Sequence, residues 1–511
     1  MPDVRHYLEK HAADERIRQT QQGLGRPIIA FKNEHHQVVA VGNTIHWSKK
    51  WKTFPDFLSD YIKKKIGPKW GNGEIAKPFA QRHPLMQWYE LCCRYQAQTI
   101  KTPGKVHSAE ITGVVACYLG AAYALYLLDH NVELQARLIN RLKDPGNFQG
   151  AYYELVVASV LIRAGFVLAL EDETDPALKH CEFSAVSATT GKRYWVEAKM
   201  RSVNGLLGRT AADGGPDGKP LARLVPHLNA ALKKPASDER LIFIDLNAPP
   251  VVGGDGKPDW VVPAMKRLER YERLRPGNAP TAYVFVTNMA FHRALDTRPS
   301  MAAAPFGLGM PDFNRPGTIR LSEAYRQKQK HIDAYAIGQA IEAYLRFPVT
   351  FDGKLPSESL GEEPSRVVIG ETYFFPDIGD NGITGTVTTA TVDETNKRAI
   401  IGITDGSGHS RIVDEPMSDE AFAEYAEFRD AYFGRVIPGP MQPKDAFELL
   451  EWLMEVNKAV PRAKILEWFA GAPDFGELEN LADEELRLAY CEALVAVVEA
   501  KKSGPDRGGL K

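Results

Sequence analysis

Two short runs in the middle of the chain constrain its fold more than any other feature. Leu241-Ile242-Phe243-Ile244-Asp245-Leu246 and Ala282-Tyr283-Val284-Phe285-Val286-Thr287 are apolar at nearly every position. Each is too short for a buried helix and rich in β-branched and aromatic residues, so each is expected to be a fully buried strand. The amphipathic stretches Leu221 to Lys233 and Val262 to Leu274 are expected to be helices beside them. Upstream, Gln149 to Ala164 carries Leu155, Val156, Ala158, Leu161 and Ile162 at helical spacing, and Gly165 is its natural stop. Three strands are expected to follow, at Phe166 to Leu170, Glu182 to Ser187 and Lys192 to Lys199. Thr189-Thr190-Gly191 turns between the last two. Helix, three strands, helix, strand, helix, strand is the order of an α/β sheet with helices on its faces.

At 511 residues the chain exceeds one ordinary core, so several domains are expected. Residues 1–146 read as a mainly helical region with one β-hairpin between Arg26 and Val41. Within it, Trp47 to Trp70 mixes seven lysines with Trp47, Trp51, Tyr61 and Trp70. Such a segment could follow a phosphate backbone. The favoured reading is an amphipathic helix, Pro55 to Lys65, with Phe57, Leu58, Tyr61 and Ile62 inward and solvated lysines outward. Residues 147–355 hold the α/β sheet, with Arg298 to Gly317 read as a loop and Ser322 to Leu345 as helix. Pro356 to Pro364 reads as a linker. Residues 365–415 alternate as a small β-barrel or sheet, and 416–511 read as helical with a disordered tail.

A formal net charge of -2 excludes a uniformly basic nucleic-acid binder but not a local basic groove. Five cysteines without a C-x-x-C support neither a zinc ribbon nor a disulfide framework. The charged start has no signal-peptide core, and Ile111 to Leu128 reads as a buried helix rather than a membrane span. The expected setting is a reducing, cytoplasmic one without a membrane partner.

The chemistry concentrates in the three-strand stretch. Phosphodiester hydrolysis needs a divalent cation held by oxygen ligands, and a group that orients or activates water. Glu197 and Lys199 are two apart on a strand and should share a face, with Ala198 turned into the packed side. Glu182, on the antiparallel neighbour, should approach Glu197 closely enough for one ion to join them. Glu154, on the preceding helix, can complete the site through a metal-bound water. The bland alternative is a surface ion pair on an edge strand. A second E-x-K, Glu499-Ala500-Lys501, lies in an acidic helical segment where residues two apart diverge, and is rejected.

These residues resemble the PD-(D/E)XK nuclease superfamily, with its restriction-endonuclease-like fold, over residues 147–290. The element order is similar to that family's αβββαβ core. Glu197-Ala198-Lys199 matches the second half of its motif, and Glu182, within His180-Cys181-Glu182-Phe183, stands where aspartate is usual. Glu154 matches a glutamate many members carry on the helix. The resemblance implies a magnesium-dependent endodeoxyribonuclease acting on DNA, with a role in defence against foreign DNA. It assigns Glu154, Glu182, Glu197 and Lys199 as catalytic, the three glutamates as ligands of Mg2+ (or Mn2+ in its place), and Lys199 to the water. It allows a homodimer or a partner subunit. RNA stays open, since the motif reads a phosphodiester and not a 2′-hydroxyl. The rival reading is a nuclease-fold subunit without catalysis, which binds nucleic acid or assembles with a partner; glutamate in the aspartate position favours it.

Other polar residues weigh less. Arg201 and Arg209 could meet phosphates or be loop charges, and His227 and Asn229 could line the cleft or be exposed. Asp245 ends a buried strand in either a turn or a site role. The loop at 205–218 lacks the G-K-[ST] of a P-loop. His35, His36 and His46 have no partners at metal-ligand spacing and are expected to be surface residues of the hairpin. His180 and Cys181, adjacent on a strand, would face opposite sides and make no nucleophile pair.

Overall fold

The computed structural model describes residues 4–102, 105–132, 136–170, 182–203, 219–250, 258–275, 280–315, 318–361, 366–378, 381–436, 443–473 and 475–502. The chain is mixed α/β and divides into two compact units, residues 1–315 with 333–434, and residues 316–332 with 435–511.

The larger unit opens with helix α1 (Val4–Gln22) and a three-stranded antiparallel sheet of β1 (Ile29–Asn33), β2 (His36–Val41) and β3 (Thr44–Ser48). Strand β3 extends the expected hairpin. Gly42, at a φ of 53°, begins a two-residue loop that lets Val41 pair with Thr44. Helices α2 (Phe54–Ile66), α3 (Pro68–Ile75), α4 (Pro84–Thr99), α5 (Gly113–Asn131) and α6 (Ala136–Lys143) follow. Phe57, Leu58, Tyr61 and Ile62 of α2 are buried, and Trp51 is buried too, donating from Nε1 to Asp60. The lysine-rich segment is thus core on one side and solvated charge on the other. Helix α5 is apolar enough to cross a bilayer, but it is buried almost throughout within the protein core.

The central sheet runs β4 (Phe166–Leu170), β5 (Phe183–Ser187), β6 (Arg193–Met200), β7 (Glu239–Asp245), β8 (Ala282–Asn288) and β9 (Ala302–Leu308), in that order across the sheet. β6, β7 and β8 are parallel to one another; β4–β5, β5–β6 and β8–β9 are antiparallel. Strand side chains alternate between faces, and the two apolar runs feed two cores accordingly. Leu241, Phe243, Tyr283 and Phe285 join the core around α5 and α7 (Phe148–Arg163). Ile242, Ile244, Val284 and Val286 join the one under α8 (Leu224–Leu232) and α9 (Val261–Arg273).

Strand β9 falls inside a stretch expected to be loop. Its alanines, Pro305 and Gly307 are weak strand formers, but it is an edge strand, where a proline needs no ladder partner on its open side. Expected as a single helix, Ser322 to Leu345 is instead α10 (Leu321–Lys330) and α11 (Ile332–Glu342), interrupted at His331. Asp333 of α11 accepts from Ser187 Oγ, Thr190 Oγ1 and Tyr194 OH at 2.6 to 2.7 Å, which pins the β5–β6 turn.

The expected linker starts as a one-turn helix, α12 (Pro356–Leu360), with Ser357 bonded to Glu424. Beyond it β10 (Thr372–Phe375), β11 (Ile383–Asp393), β12 (Arg398–Asp405) and β13 (Ser410–Pro416) form an antiparallel sheet in chain order. Among the described residues β10 and β13 do not pair, so this is an open sheet and not a barrel. Four strands are too few to enclose a filled interior. Helix α13 (Asp419–Phe428) is the last helix of the unit, which runs on to Gly434.

The smaller unit packs α10 with α14 (Ala446–Val456), α15 (Arg462–Trp468), α16 (Phe475–Leu478) and α17 (Asp483–Lys502) around Leu450, Leu486, Cys491 and Val495. Glu499 and Lys501 both lie on α17, as their rejection as a strand motif requires. The tail 503–511 lies outside the described residues.

Candidate active site

Strand β6 carries Tyr194, Val196, Ala198 and Met200 on the face packed against α7, and Glu197 and Lys199 on the other. Parallel pairing sets Glu197 beside Ile242 and Lys199 beside Ile244 of β7, on the side covered by α8. Glu182 immediately precedes β5. Its backbone N–H donates to Val196 O at 3.1 Å, and Phe183 pairs with Val196, so Glu182 comes abreast of Glu197 where the ladder opens.

The three side chains meet. Lys199 Nζ lies 2.7 Å from Glu182 Oε1 and 3.1 Å from Glu197 Oε2. A fourth, Lys234, just past the end of α8, lies 2.8 Å from Glu197 Oε1 and 3.3 Å from Glu182 Oε1. Two ammonium groups therefore bridge the same two carboxylates. Lys234 carried no sequence signal, because it lies 35 positions beyond Lys199 in no recognisable pattern; only the return of α8 over β6 brings it in.

Glu197 is 0% exposed, and neither of its oxygens has a hydrogen bond of good geometry, although both lie within ion-pair distance of a lysine. The two lysine contacts are Coulombic ones whose angles fall short of full hydrogen bonds, which leaves lone pairs of both oxygens without a well-aligned donor. Burial raises the Glu197 carboxyl above its usual range, and the two lysines oppose that. Burial also acts to raise Glu182, but Lys199 and Lys234 outweigh it and hold the carboxylate low. For Lys199, burial favours loss of the proton, yet Glu182 and Glu197 more than offset it and hold the proton well above the ordinary lysine range.

Glu154, on α7, stands apart. Arg141 of α6 grips it with two parallel hydrogen bonds, 2.7 and 2.5 Å long. Burial pushes its carboxyl up to about 7 against Arg141, and the charge of Glu182 adds to the rise. It is near enough to feel Glu182 and Lys199 but makes no ion pair with either. Among the described residues no three metal-ligating side chains are gathered closely enough to hold an ion. Two carboxylates are gathered, and magnesium can be held by one or two together with water and phosphate. The unsatisfied oxygens of Glu197 fit such an ion; Glu154 would reach it only through an intervening water.

The lesser candidates separate. Arg201 is buried and spends its guanidinium on the carbonyls of Leu246 and Asn247, at 2.6 and 2.7 Å, so it is no phosphate contact. Asp245 is buried and accepts from Asn247 N, Met289 N and Thr287 Oγ1, a strand-end anchor. Asn229 accepts from Tyr271 OH and ties α8 to α9. His227 is half-buried; burial lowers its pKa, and the charge of Lys199 lowers it further, so it borders the site. His35 and His36 are at the hairpin turn as expected, but His46, expected at the surface, is buried against Phe57 and Tyr61, because β3 turns it onto α2. His180, Cys181, Arg209 and the loop at 205–218 lie outside the described residues. Compared with known proteins, the chain matches no family model, no curated protein and no solved structure.

Proposed function

We propose that the protein is a magnesium-dependent endodeoxyribonuclease of the PD-(D/E)XK type, hydrolysing DNA phosphodiester bonds at Glu182, Glu197 and Lys199. The observation that carries this reading is the meeting of one lysine with two carboxylates from neighbouring strands, all within 3.1 Å. The order α7-β4-β5-β6-α8-β7 supports it, being the αβββαβ order the resemblance implies. Mg2+ between Glu182 and Glu197 would neutralise charge on the scissile phosphate and acidify a bound water.

The chain's own residues do the rest. Glu197, fixed in mid-strand and fully buried, is a preorganised ligand. Lys199, whose proton Glu182 and Glu197 hold, orients the attacking water and faces the negative charge of the transition state. Lys234 adds a second positive charge at the same strand ends. Glu154, clamped by Arg141, contributes through its field. A foreign-DNA defence role accords with this chemistry but rests on family analogy alone.

One observation favours a second reading, a nuclease-fold subunit without catalysis. Lys199 and Lys234 already neutralise Glu182 and Glu197, so a metal must displace two ammonium groups before it binds. The test incubates the purified protein with linear, circular and single-stranded DNA, and with RNA, in Mg2+ and then in chelator, beside Glu197→Ala and Lys199→Ala. Metal-dependent cleavage lost in both variants is expected. Cleavage that both variants retain would overturn the site, and no cleavage of any substrate would leave the second reading.

A further inference from the structure

At the far end of α7 from the nuclease candidates, a cavity of about 370 Å³ is lined by Arg16, Arg163 and Arg346, with Glu342 as its one acidic wall residue. Arg163 ends α7 nine residues after Glu154, roughly 14 Å along the helix axis. It is only 4% exposed. Its Nη1 donates to Tyr344 O at 3.1 Å, its guanidinium stands 5.8 Å from the centre of the Tyr123 ring, and its Nε has no hydrogen-bond partner. No carboxylate pairs with it among the described residues.

A buried charge is ordinarily paired, because its removal from water without a counter-charge is costly. Burial lowers the Arg163 pKa; the phenols of Tyr123 and Tyr344 oppose that, and the charge of Arg346 adds a smaller lowering. Arg16 is bonded to Asp430 at 2.7 Å on the exposed side, and Glu427 lies in the field of Arg346. Neither reaches Arg163. The approach of the chain is also specific: at Gly23, with φ 79°, a Cβ would stand 2.8 Å from Arg163 Cα, so only glycine lets the end of α1 close this wall.

We propose that this cavity binds the phosphate group of a small phosphate ester, of sugar-phosphate or mononucleotide size, with Arg163 as the buried anchor and Arg16 and Arg346 at the mouth. A guanidinium presents paired N–H donors that match phosphate oxygens, and a dianion there would supply the counter-charge that Arg163 lacks. The volume lies in the range of small-molecule sites. The apolar side chains of Leu24, Ala336 and Ala340 in its lining suit the carbon portion of such an ester. The inference does not depend on the nuclease reading.

The test is calorimetric titration of the full-length protein with adenosine monophosphate, ribose 5-phosphate, inorganic phosphate and adenosine. Saturable one-to-one binding of at least one phosphate ester is expected, with adenosine at least tenfold weaker than its monophosphate. Arg163→Gln should weaken binding by tenfold or more. Because that variant changes a buried side chain, the exposed Arg346→Ala is the companion: it should melt with wild type and weaken binding severalfold. Absence of saturable binding to every phosphate probe would overturn the site, as would equal binding of adenosine or undiminished binding by both variants. Preference for a 5′-phosphorylated oligonucleotide over every small ester would overturn the assignment to a small molecule.

Discussion

Lys234 and Glu197, 37 positions apart in the chain, meet at 2.8 Å against the inner face of the sheet. The role of Lys234 does not follow from its own neighbourhood in the chain. Glu197 is fully buried by β7 and α8, and Lys234 shares with Lys199 the task of compensating its charge. Lys234→Met should therefore cost about 1–3 kcal/mol, below the usual cost of breaking a buried pair because Lys199 remains. The double variant Lys234→Met/Glu197→Gln should recover part of that loss, as urea unfolding in a double-mutant cycle would register.

The clamp of Arg141 on Glu154 makes a parallel prediction. With the carboxyl already near 7, Arg141→Met should let Glu154 keep its proton at neutral pH, so the cost should be only about 1–2 kcal/mol at pH 7 and should grow as pH rises above 7. Adding Glu154→Gln should remove that pH dependence, since no carboxyl is then left to ionise. A cycle showing additive losses would mean that the two do not interact.

Acid stability should depend on His83. This buried residue caps α4, its Nδ1 accepting from Leu85 N at 3.3 Å, and burial lowers its pKa to about 4. A histidine depressed in the fold is neutral there and charges more readily when unfolded. Its contribution is thus full above the unfolded value near 6.5 and is lost as pH falls toward 4, by up to about 3 kcal/mol. His83→Asn keeps a capping acceptor without titrating, so its stability should fall less between pH 6.5 and 4 than that of wild type.

The basic, aromatic segment can be tested against its alternative. Phe57→Ala should cost about 3–5 kcal/mol, as large-to-small changes in a packed core do. Lys49→Ala and Lys64→Ala, on exposed positions, should leave the melting temperature within a degree or two.

Much of the architecture was legible because periodicity and burial coincide. The two apolar runs became β7 and β8, and α7, β4, β5 and β6 fell within a residue or two of their expected limits. Strand β9 was illegible because Ala302-Ala303-Ala304-Pro305 has no strand propensity of its own and pairs only because β8 offers an open edge. In the site, Glu182, Glu197 and Lys199 were legible as a set because strand geometry alone brings them together. The distance of Glu154 from them, its capture by Arg141 and the arrival of Lys234 depend on how helices pack over the sheet, which no local pattern encodes.

Glu182 and Glu197 are proposed to form a divalent-cation site where two lysines now stand. Mn2+ binding, followed by electron paramagnetic resonance in the presence of a short DNA duplex and in its absence, tests it most directly. One Mn2+ per chain is predicted, bound more tightly with DNA present and weakened at least tenfold by Glu197→Gln in a protein that still melts cooperatively. Wild type that binds no Mn2+ even with DNA, or a Glu197→Gln variant that binds it undiminished, would contradict the account.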